Sequence, residues 1–196
     1  LLLCSILGLA VIIDRLRAFH AAGDSHEEFR KSIRKKLEEG DVSEAINLAA
    51  SSAGPVAATI LNGLSRFARL VSREKTVDEA ANAAVRSMEE YAPKALRPLE
   101  MRLNLLVLVA AIAPLLGMTG TVTGMIASFD VMASSAGLDP GAVAGGIGEA
   151  LITTAAGLLV AMPCAVYYNI FSRKIDDLSA TIDTALADIM ETIGEA

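Results

Sequence analysis

The sequence predicts an all-α membrane protein with three transmembrane helices and a helical cytoplasmic region. Residues 103–129 carry no charge, and residues 140–172 carry only one, at Glu149. With a rise of about 1.5 Å per residue, each run forms a helix longer than the roughly 30 Å hydrocarbon core of a bilayer. Charged residues make up 20% of the chain but are crowded outside these runs, and no alternating strand pattern occurs. Both helices are therefore predicted to cross the membrane and to extend into the cytoplasmic region.

The charge pattern divides the chain into segments. The predicted segments are the end of a first span at 1–13, a cytoplasmic helical region at 14–102, the second span at 103–129, a periplasmic loop at 130–139, the third span at 140–172 and a cytoplasmic C-terminal helix at 173–196. The first segment is too short to cross a bilayer. Since the chain begins with Leu1 and no small-residue cleavage site follows, this segment is predicted to be the end of a truncated helix and not a signal peptide.

Basic residues predict the orientation of the spans. All 17 Lys and Arg lie between residues 15 and 102 or at positions 173 and 174. Because cytoplasmic flanks of membrane helices are enriched in Lys and Arg, the C-terminus is predicted to be cytoplasmic and the N-terminus periplasmic. The net charge of −6 argues against a nucleic-acid partner.

The cytoplasmic region is predicted to be helical, without a catalytic domain of its own. Ser25, Asp41 and Thr76 each precede a Glu by three residues, which is the spacing of a helix N-cap. The residues predicted to punctuate these helices are Gly40, Gly54 with Pro55, and then Pro93 and Pro98 before the second span.

Metal-binding and catalytic patterns are absent from the sequence. Cys4 and Cys164 both lie in apolar segments, so neither a disulfide framework nor a CxxC motif is present. His26 begins the string HEEF, but position 30 is Arg where a zinc-binding helix needs a second His. Residues 103–172 contain no His and no Lys, and they offer no paired carboxylate within the membrane. The chain is therefore predicted to be neither a metalloprotein nor an enzyme, and to need no cofactor.

Small residues recur along one face of the second span. Gly117, Gly120 and Gly124 are spaced by three and four residues, which allows helices to approach closely within lipid. In the third span, Gly145 and Gly148 are predicted to serve the same packing role.

Hydroxyl groups and prolines accompany these glycines. The hydroxyls of Thr119, Thr121 and Thr123 could each bond back to their own helix or line a polar path. For any single one of these residues, the bond to its own helix is the favoured interpretation. Pro114 in the second span and Pro163 in the third remove one helical hydrogen bond each and are predicted to kink their helices.

Glu149 is the only carboxylate set well inside either long span. It lies about nine residues, or roughly 13 Å, from the helix start predicted at Pro140, which places it within the membrane. Desolvation disfavours a charged carboxylate there, so its predicted partner is a proton, a hydroxyl group or another chain. Thr153 lies about 40° from Glu149 on an ideal helix and Thr154 about 140°, so geometry favours Thr153 as its companion. A permanently protonated residue that fixes helix packing is the alternative.

Two strings in these spans resemble the MotA/TolQ/ExbB proton-channel family, closest to its ExbB and TolQ branch. The first is APLLGMTGTVTGMIASF at 113–129, and the second is GGIGEALITTAAGLLVAMPCAVYYN at 145–169. On this resemblance, the Thr of the GTV motif is Thr121, the Glu of the GIxEAL motif is Glu149, and the Thr five residues beyond that Glu is Thr154. The family pattern thus prefers Thr154 over Thr153 for the ion path.

The chain departs from the branch at Thr123, where a bulky Trp is common. Together with Thr119 and Thr153, this residue makes the spans unusually polar. The transported ion implied by the family is the proton, and the additional hydroxyls leave sodium open.

The resemblance implies an ion-conducting, stator-type subunit of the bacterial inner membrane that couples ion flow to work on the cell envelope. The implied assembly is a pentamer in membrane lipid around two copies of a single-span ExbD- or TolR-like subunit, linked to a TonB- or TolA-like adapter. A passive oligomeric scaffold without ion flux is the alternative, because close packing by small residues needs no ion.

Overall fold

The computed structural model describes residues 1–22, 26–134 and 140–194, and this part of the chain contains helices and no strand. The helices are α1 (Leu2–Ala22), α2 (His26–Glu38), α3 (Val42–Ser51), α4 (Pro55–Val71), α5 (Val77–Glu100), α6 (Leu103–Ser134) and α7 (Pro140–Gly194). The all-α prediction is confirmed. The third span and the C-terminal segment, predicted separately, are parts of the single helix α7.

The chain divides into two compact units. The apolar unit comprises Leu1–Asp14 and Arg102–Phe171, and the polar unit comprises Arg15–Met101 with the segment from Ser172 onward. The apolar unit therefore contains α6 and the first part of α7, where the sequence carries almost no charge.

Two helices among the described residues are long and apolar enough to cross a membrane, over Leu103–Ala133 and Val143–Ile193. Only 22% of the most apolar window is buried in each of them, whereas the core helix of a soluble protein is mostly buried. Their outward-facing side chains suit a lipid environment. The first of the three predicted spans falls within α1 and remains a prediction.

Several helix ends in the polar unit have the capping residues that the sequence predicts. Asp41 and Thr76 cap α3 and α5 by accepting a hydrogen bond from the backbone N–H three residues on, at 2.9 and 3.3 Å. Gly40 follows the end of α2 with a φ of 77°, a left-handed conformation that glycine adopts without steric strain because it has no Cβ. Gly54 opens α4 ahead of the proline that begins it. The third predicted cap, Ser25, lies outside the described residues.

Pro93 and Pro98 both lie inside α5 and do not end it. A proline removes only one helical hydrogen bond, so packing and capping elsewhere can hold the helix together. The side chain of buried Arg15 donates from Nη1 to the carbonyls of Pro98 at 2.6 Å and Leu99 at 3.2 Å. These carbonyls belong to the last turn of α5, where no further helical N–H is available to them.

The hairpin of α4 and α5 forms much of the core of the polar unit. Ile60 and Leu64 on α4 are buried, as are Ala84 and Met88 on α5. A Cβ added at Gly63 would collide with the buried side chain of Met88, so Met88 packs directly against α4 at this glycine.

Candidate ion-pathway site

Helices α6 and α7 approach each other closely where two glycines face backbone atoms. A Cβ built on Gly157 would lie 2.6 Å from the carbonyl oxygen of Ala113, and one built on Gly117 would lie 3.0 Å from the Cα of Thr154. The Ala113 carbonyl cannot make room for a side chain at Gly157 without the helices separating, and at Gly117 the added Cβ would be a tight contact with backbone. We refer to Gly117, Thr154 and Gly157 as the tight contact.

Thr154 adds a hydrogen bond to this tight contact. Its Oγ1 donates to the carbonyl oxygen of Gly117 on α6 at 2.9 Å. The hydroxyl that the family pattern assigns to the ion path therefore joins two helices of the same chain. In lipid such a bond has no competition from water, although its measured worth averages only about 0.6 kcal/mol.

Farther along the same interface, glycines face side chains. A Cβ on Gly120 would lie 2.5 Å from Cγ2 of Thr153, and one on Gly124 would lie 2.7 Å from Cβ of Ala150. A Cβ on Gly146 would collide with the hydroxyl of Ser128. The predicted packing glycines of α6 thus all face α7.

Gly145 and Gly148, predicted to pack, have open space around them instead. Among the described residues, an added Cβ would meet nothing within 4 Å at either position. The glycines of α7 that do pack on α6 are Gly146, which is next to Gly145, and Gly157, which lies one turn after Thr153. Any packing role of Gly145 and Gly148 therefore needs another chain and remains a prediction.

Beside these glycines, α6 and α7 enclose an open groove of about 510 Å³. Its walls are one stripe of residues from each helix. The lining residues are Gly120, Thr123, Gly124, Ala127, Ser128 and Val131 from α6, and Gly146, Glu149, Ala150 and Thr153 from α7. Recurrence at three and four residues keeps each stripe on one helix face.

Glu149 is the charged residue of this groove. Its side chain is exposed within the chain and makes no hydrogen bond or ion pair with the residues that the structure describes. Between residues 103 and 172 the sequence contains no Lys, Arg or His that could neutralise it. A carboxylate in an apolar span costs a few kcal/mol unless it is paired, protonated or hydrated, on the order of 2.5–3.5 on insertion scales. The groove supplies room for such a partner.

The two threonines that line the groove with Glu149 donate their hydroxyl protons to backbone carbonyls. Thr153 Oγ1 donates to the carbonyl of Glu149 at 3.0 Å. Thr123 Oγ1 donates to the carbonyls of Thr119 and Gly120, both at 3.1 Å. Thr153 thus lies beside Glu149, on the helix face that ideal geometry gives it.

Thr119 and Thr121 do not line this groove. Their hydroxyls donate to the carbonyls of Leu115 at 2.8 Å and Met118 at 2.6 Å, so both bond back to their own helix. The predicted trio of Thr121, Glu149 and Thr154 is therefore not gathered in this groove of a single chain.

Ser128 is a groove residue that the sequence analysis missed. It is 5% exposed, and its Oγ donates to the carbonyl of Gly124 at 2.9 Å. The missed lining residues Ala127 and Val131 lie three and seven positions after Gly124. Continuing the small-residue spacing of Gly120 and Gly124 by further turns would have identified this wall.

Both predicted kink residues lie within continuous helices. Pro114 is inside α6 and Pro163 is inside α7. Each removes the N–H that would bond to the carbonyl four residues earlier. Kinks at these positions remain predictions.

An ion pair lies at the end of the apolar unit. Arg102 Nη1 lies 3.0 Å from Oδ2 of Asp14, and Arg102 has a φ of 72°, which is unusual for a residue with a side chain.

Among the described residues, no group of three or more His, Cys, Asp or Glu is placed to hold a metal ion. The site therefore offers a lone carboxylate and hydroxyl oxygens.

Comparisons with known proteins place the chain among proton-channel sequences. Residues 52–184 match the MotA/TolQ/ExbB proton channel family. The chain is 26% identical over 190 residues to the biopolymer transport protein ExbB of Neisseria meningitidis, covering 96% of this chain and 86% of that protein.

Two further relatives match over shorter regions. The ExbB protein of Salmonella typhimurium is 42% identical over 82 residues, which is 42% of this chain and 34% of that protein. The ExbB protein of Xanthomonas campestris is 35% identical over 119 residues, which is 61% of this chain and 44% of that protein. In both cases the match spans less than half of the relative's length.

Proposed function

This chain belongs to the MotA/TolQ/ExbB proton channel family, and from that membership we propose that it is an ion-conducting, stator-type subunit of a bacterial inner-membrane motor. Ion flow down the membrane gradient, carried by protons or by sodium, would drive a rearrangement that performs work on the cell envelope. The relatives named ExbB, the two apolar helices and their outward-facing side chains support an inner-membrane location.

The observation that carries this proposal is the unpaired carboxylate of Glu149 in a groove between two membrane helices. An ionisable residue inside a span is retained at a cost in stability, so it marks an ion path more often than a packing contact. Glu149 also occupies the Glu position of the family motif GIxEAL. A groove with room for water allows its carboxylate to exchange an ion with the aqueous phase.

The hydroxyls that we place on the path are those of Thr121 and Thr154, with Thr119, Thr123 and Thr153 as further polar lining. Each donates its proton to a backbone carbonyl, so its oxygen retains lone pairs for a passing ion. Thr123 and Thr153 share the groove with Glu149, whereas the remaining three lie outside its lining. The path would therefore be completed by neighbouring chains.

Assembly with other chains follows from the same proposal. We place this chain in a pentamer around two copies of a single-span ExbD- or TolR-like subunit, with a TonB- or TolA-like adapter as the load. The open space at Gly145 and Gly148, on the helix that carries Glu149, is available for close approach by another chain. The N-terminus would be periplasmic and the C-terminus cytoplasmic.

The experiment that tests the proposal replaces Glu149 in cells that depend on the energised complex. Glu149→Ala should abolish the ion-driven output while assembly, measured by purification of the intact complex, is largely preserved. Full activity of the assembled variant would refute the role of Glu149.

The alternative function is a passive scaffold, which the glycine contacts between α6 and α7 would serve equally well. A scaffold gives no output that depends on the membrane gradient. Collapsing the gradient with an ionophore should therefore stop the work of the intact complex if it is a motor and leave a scaffold unaffected.

A further inference from the structure

The two cysteines of the chain lie at one helix contact in the apolar unit, although they are far apart in the sequence. Both thiols are free, Cys4 on α1 and Cys164 on α7. A Cβ built on Gly8 of α1 would lie 2.6 Å from Sγ of Cys164, so this thiol packs directly against the α1 backbone. Cys4 precedes Gly8 by one helical turn, which places it on the same face of α1. The fold therefore brings both thiols to the contact between α1 and α7.

A second observation places the two thiols near each other. Cys4 is close enough to Cys164 to act on its thiol electrostatically. A disulfide needs Cα atoms roughly 4.4–6.8 Å apart, and the missing side chain at Gly8 lets the two helices come close. Cys164 is 2% exposed, whereas Cys4 is only half-buried. An oxidant therefore reaches Cys4 first, and Cys164 lies behind it as the second thiol.

The surroundings of this pair decide which chemistry is open to it. Leu3 and Leu7 beside Cys4 are exposed, and α1 carries no charged side chain before Asp14. Charged oxidants do not dissolve in such apolar surroundings, whereas a quinone does. A metal ion held by the two thiols would place thiolate charge there, but a disulfide is neutral. The location of the pair therefore favours a disulfide.

We propose that a lipid-soluble quinone oxidises Cys4 and Cys164 to a disulfide that fastens α1 to α7. The two S–H bonds break and one S–S bond forms, while the quinone takes both electrons and both protons and leaves as the quinol. The bond would keep α1 against the helix that carries Glu149. The inference is independent of the proposed ion conduction, because neither cysteine lines the α6–α7 groove.

The test uses the full chain reconstituted in liposomes and treated with duroquinone, whose fully substituted ring does not add thiols. The wild-type chain should lose both free thiols, measured by maleimide labelling of the denatured protein, and its mass should fall by that of two hydrogen atoms. It should migrate as a single chain on a non-reducing gel, and dithiothreitol should restore both thiols. Cys4→Ser and Cys164→Ser should each retain the remaining thiol.

The matched control combines Leu3→Cys with Cys4→Ser. It keeps a thiol at nearly the same height on α1 but turns it outward, because Leu3 is 82% exposed. No disulfide within the chain should form in this variant. Wild-type thiols that stay free after treatment, or that link only two separate chains, would overturn the proposal. An equal yield of intrachain disulfide in the control would overturn the specific pairing of Cys4 with Cys164.

Discussion

The α6–α7 interface contains two regions that use the same residue types with different results. At the tight contact of Gly117, Thr154 and Gly157, glycine faces backbone, and the threonine hydroxyl crosses to the other helix. At the groove, glycines face the side chains of Ala150 and Thr153, which hold the walls apart, and the hydroxyls turn back to their own helices.

This difference distinguishes a contact that holds the two helices together from a groove that we propose conducts ions. Where glycine meets a carbonyl, no space remains for a ligand and the contact fixes the position of α7 on α6. Where the threonine proton is used within its own helix, the oxygen remains free for an ion. Substitutions at the tight contact should therefore act first on stability, and substitutions in the groove first on ion flux.

The largest effect is expected from Gly157→Leu. The new side chain would begin 2.6 Å from the Ala113 carbonyl, so the helices must separate. Overpacking typically costs about 1–3 kcal/mol and more where backbone cannot yield, so we expect the purified single chain to be destabilised by at least about 3 kcal/mol. Denaturant unfolding in detergent measures this. The matched control is Gly148→Leu, because an added Cβ there meets no described residue of the chain within 4 Å. Comparable destabilisation of the single chain by both substitutions would contradict the tight contact.

A smaller effect is expected from Gly146→Ala. Its methyl group would occupy the space of the Ser128 hydroxyl, a side chain that can rotate away. We expect about 1 kcal/mol of destabilisation, and a double-mutant cycle with Ser128→Ala should recover much of it because the two residues are in contact. Additive losses in the same unfolding measurement would show that the two side chains do not meet.

The smallest stability change is expected from Thr154→Val. This substitution removes the hydrogen bond to the Gly117 carbonyl at nearly constant volume. Interhelical hydrogen bonds in membranes average about 0.6 kcal/mol and reach about 1.7, so unfolding should shift by this modest amount. Thr154→Ser should restore the bond. If Thr154→Val leaves stability unchanged but abolishes ion flux, Thr154 serves the path directly and not the tight contact.

Much of the fold could be predicted from the sequence, because it depends on local and strongly periodic signals. Uncharged runs identified α6 and α7, and the N-caps Asp41 and Thr76 identified α3 and α5. Pro93 and Pro98 were harder to interpret. Whether a proline ends a helix depends on tertiary support, such as that from the buried Arg15 side chain, which no local pattern shows.

The candidate site was only partly predictable, because it depends on how two helices are rotated against each other. The sequence singled out Glu149 as an anomaly, and ideal geometry placed Thr153 beside it. It did not reveal that Gly146 and Gly157 pack while Gly145 and Gly148 do not. A difference of one position turns a residue by about 100° on a helix, so the packing partner decides which glycine is used.

The central claim is that the Glu149 carboxylate in the α6–α7 groove conducts ions. The most direct measurement is ion flux through the reconstituted complex with Glu149→Gln, which keeps the size of the side chain and removes its charge. The wild-type complex should carry gradient-driven flux, and the assembled Glu149→Gln complex should carry almost none while unfolding at a similar denaturant concentration. Wild-type flux in that variant would contradict the claim.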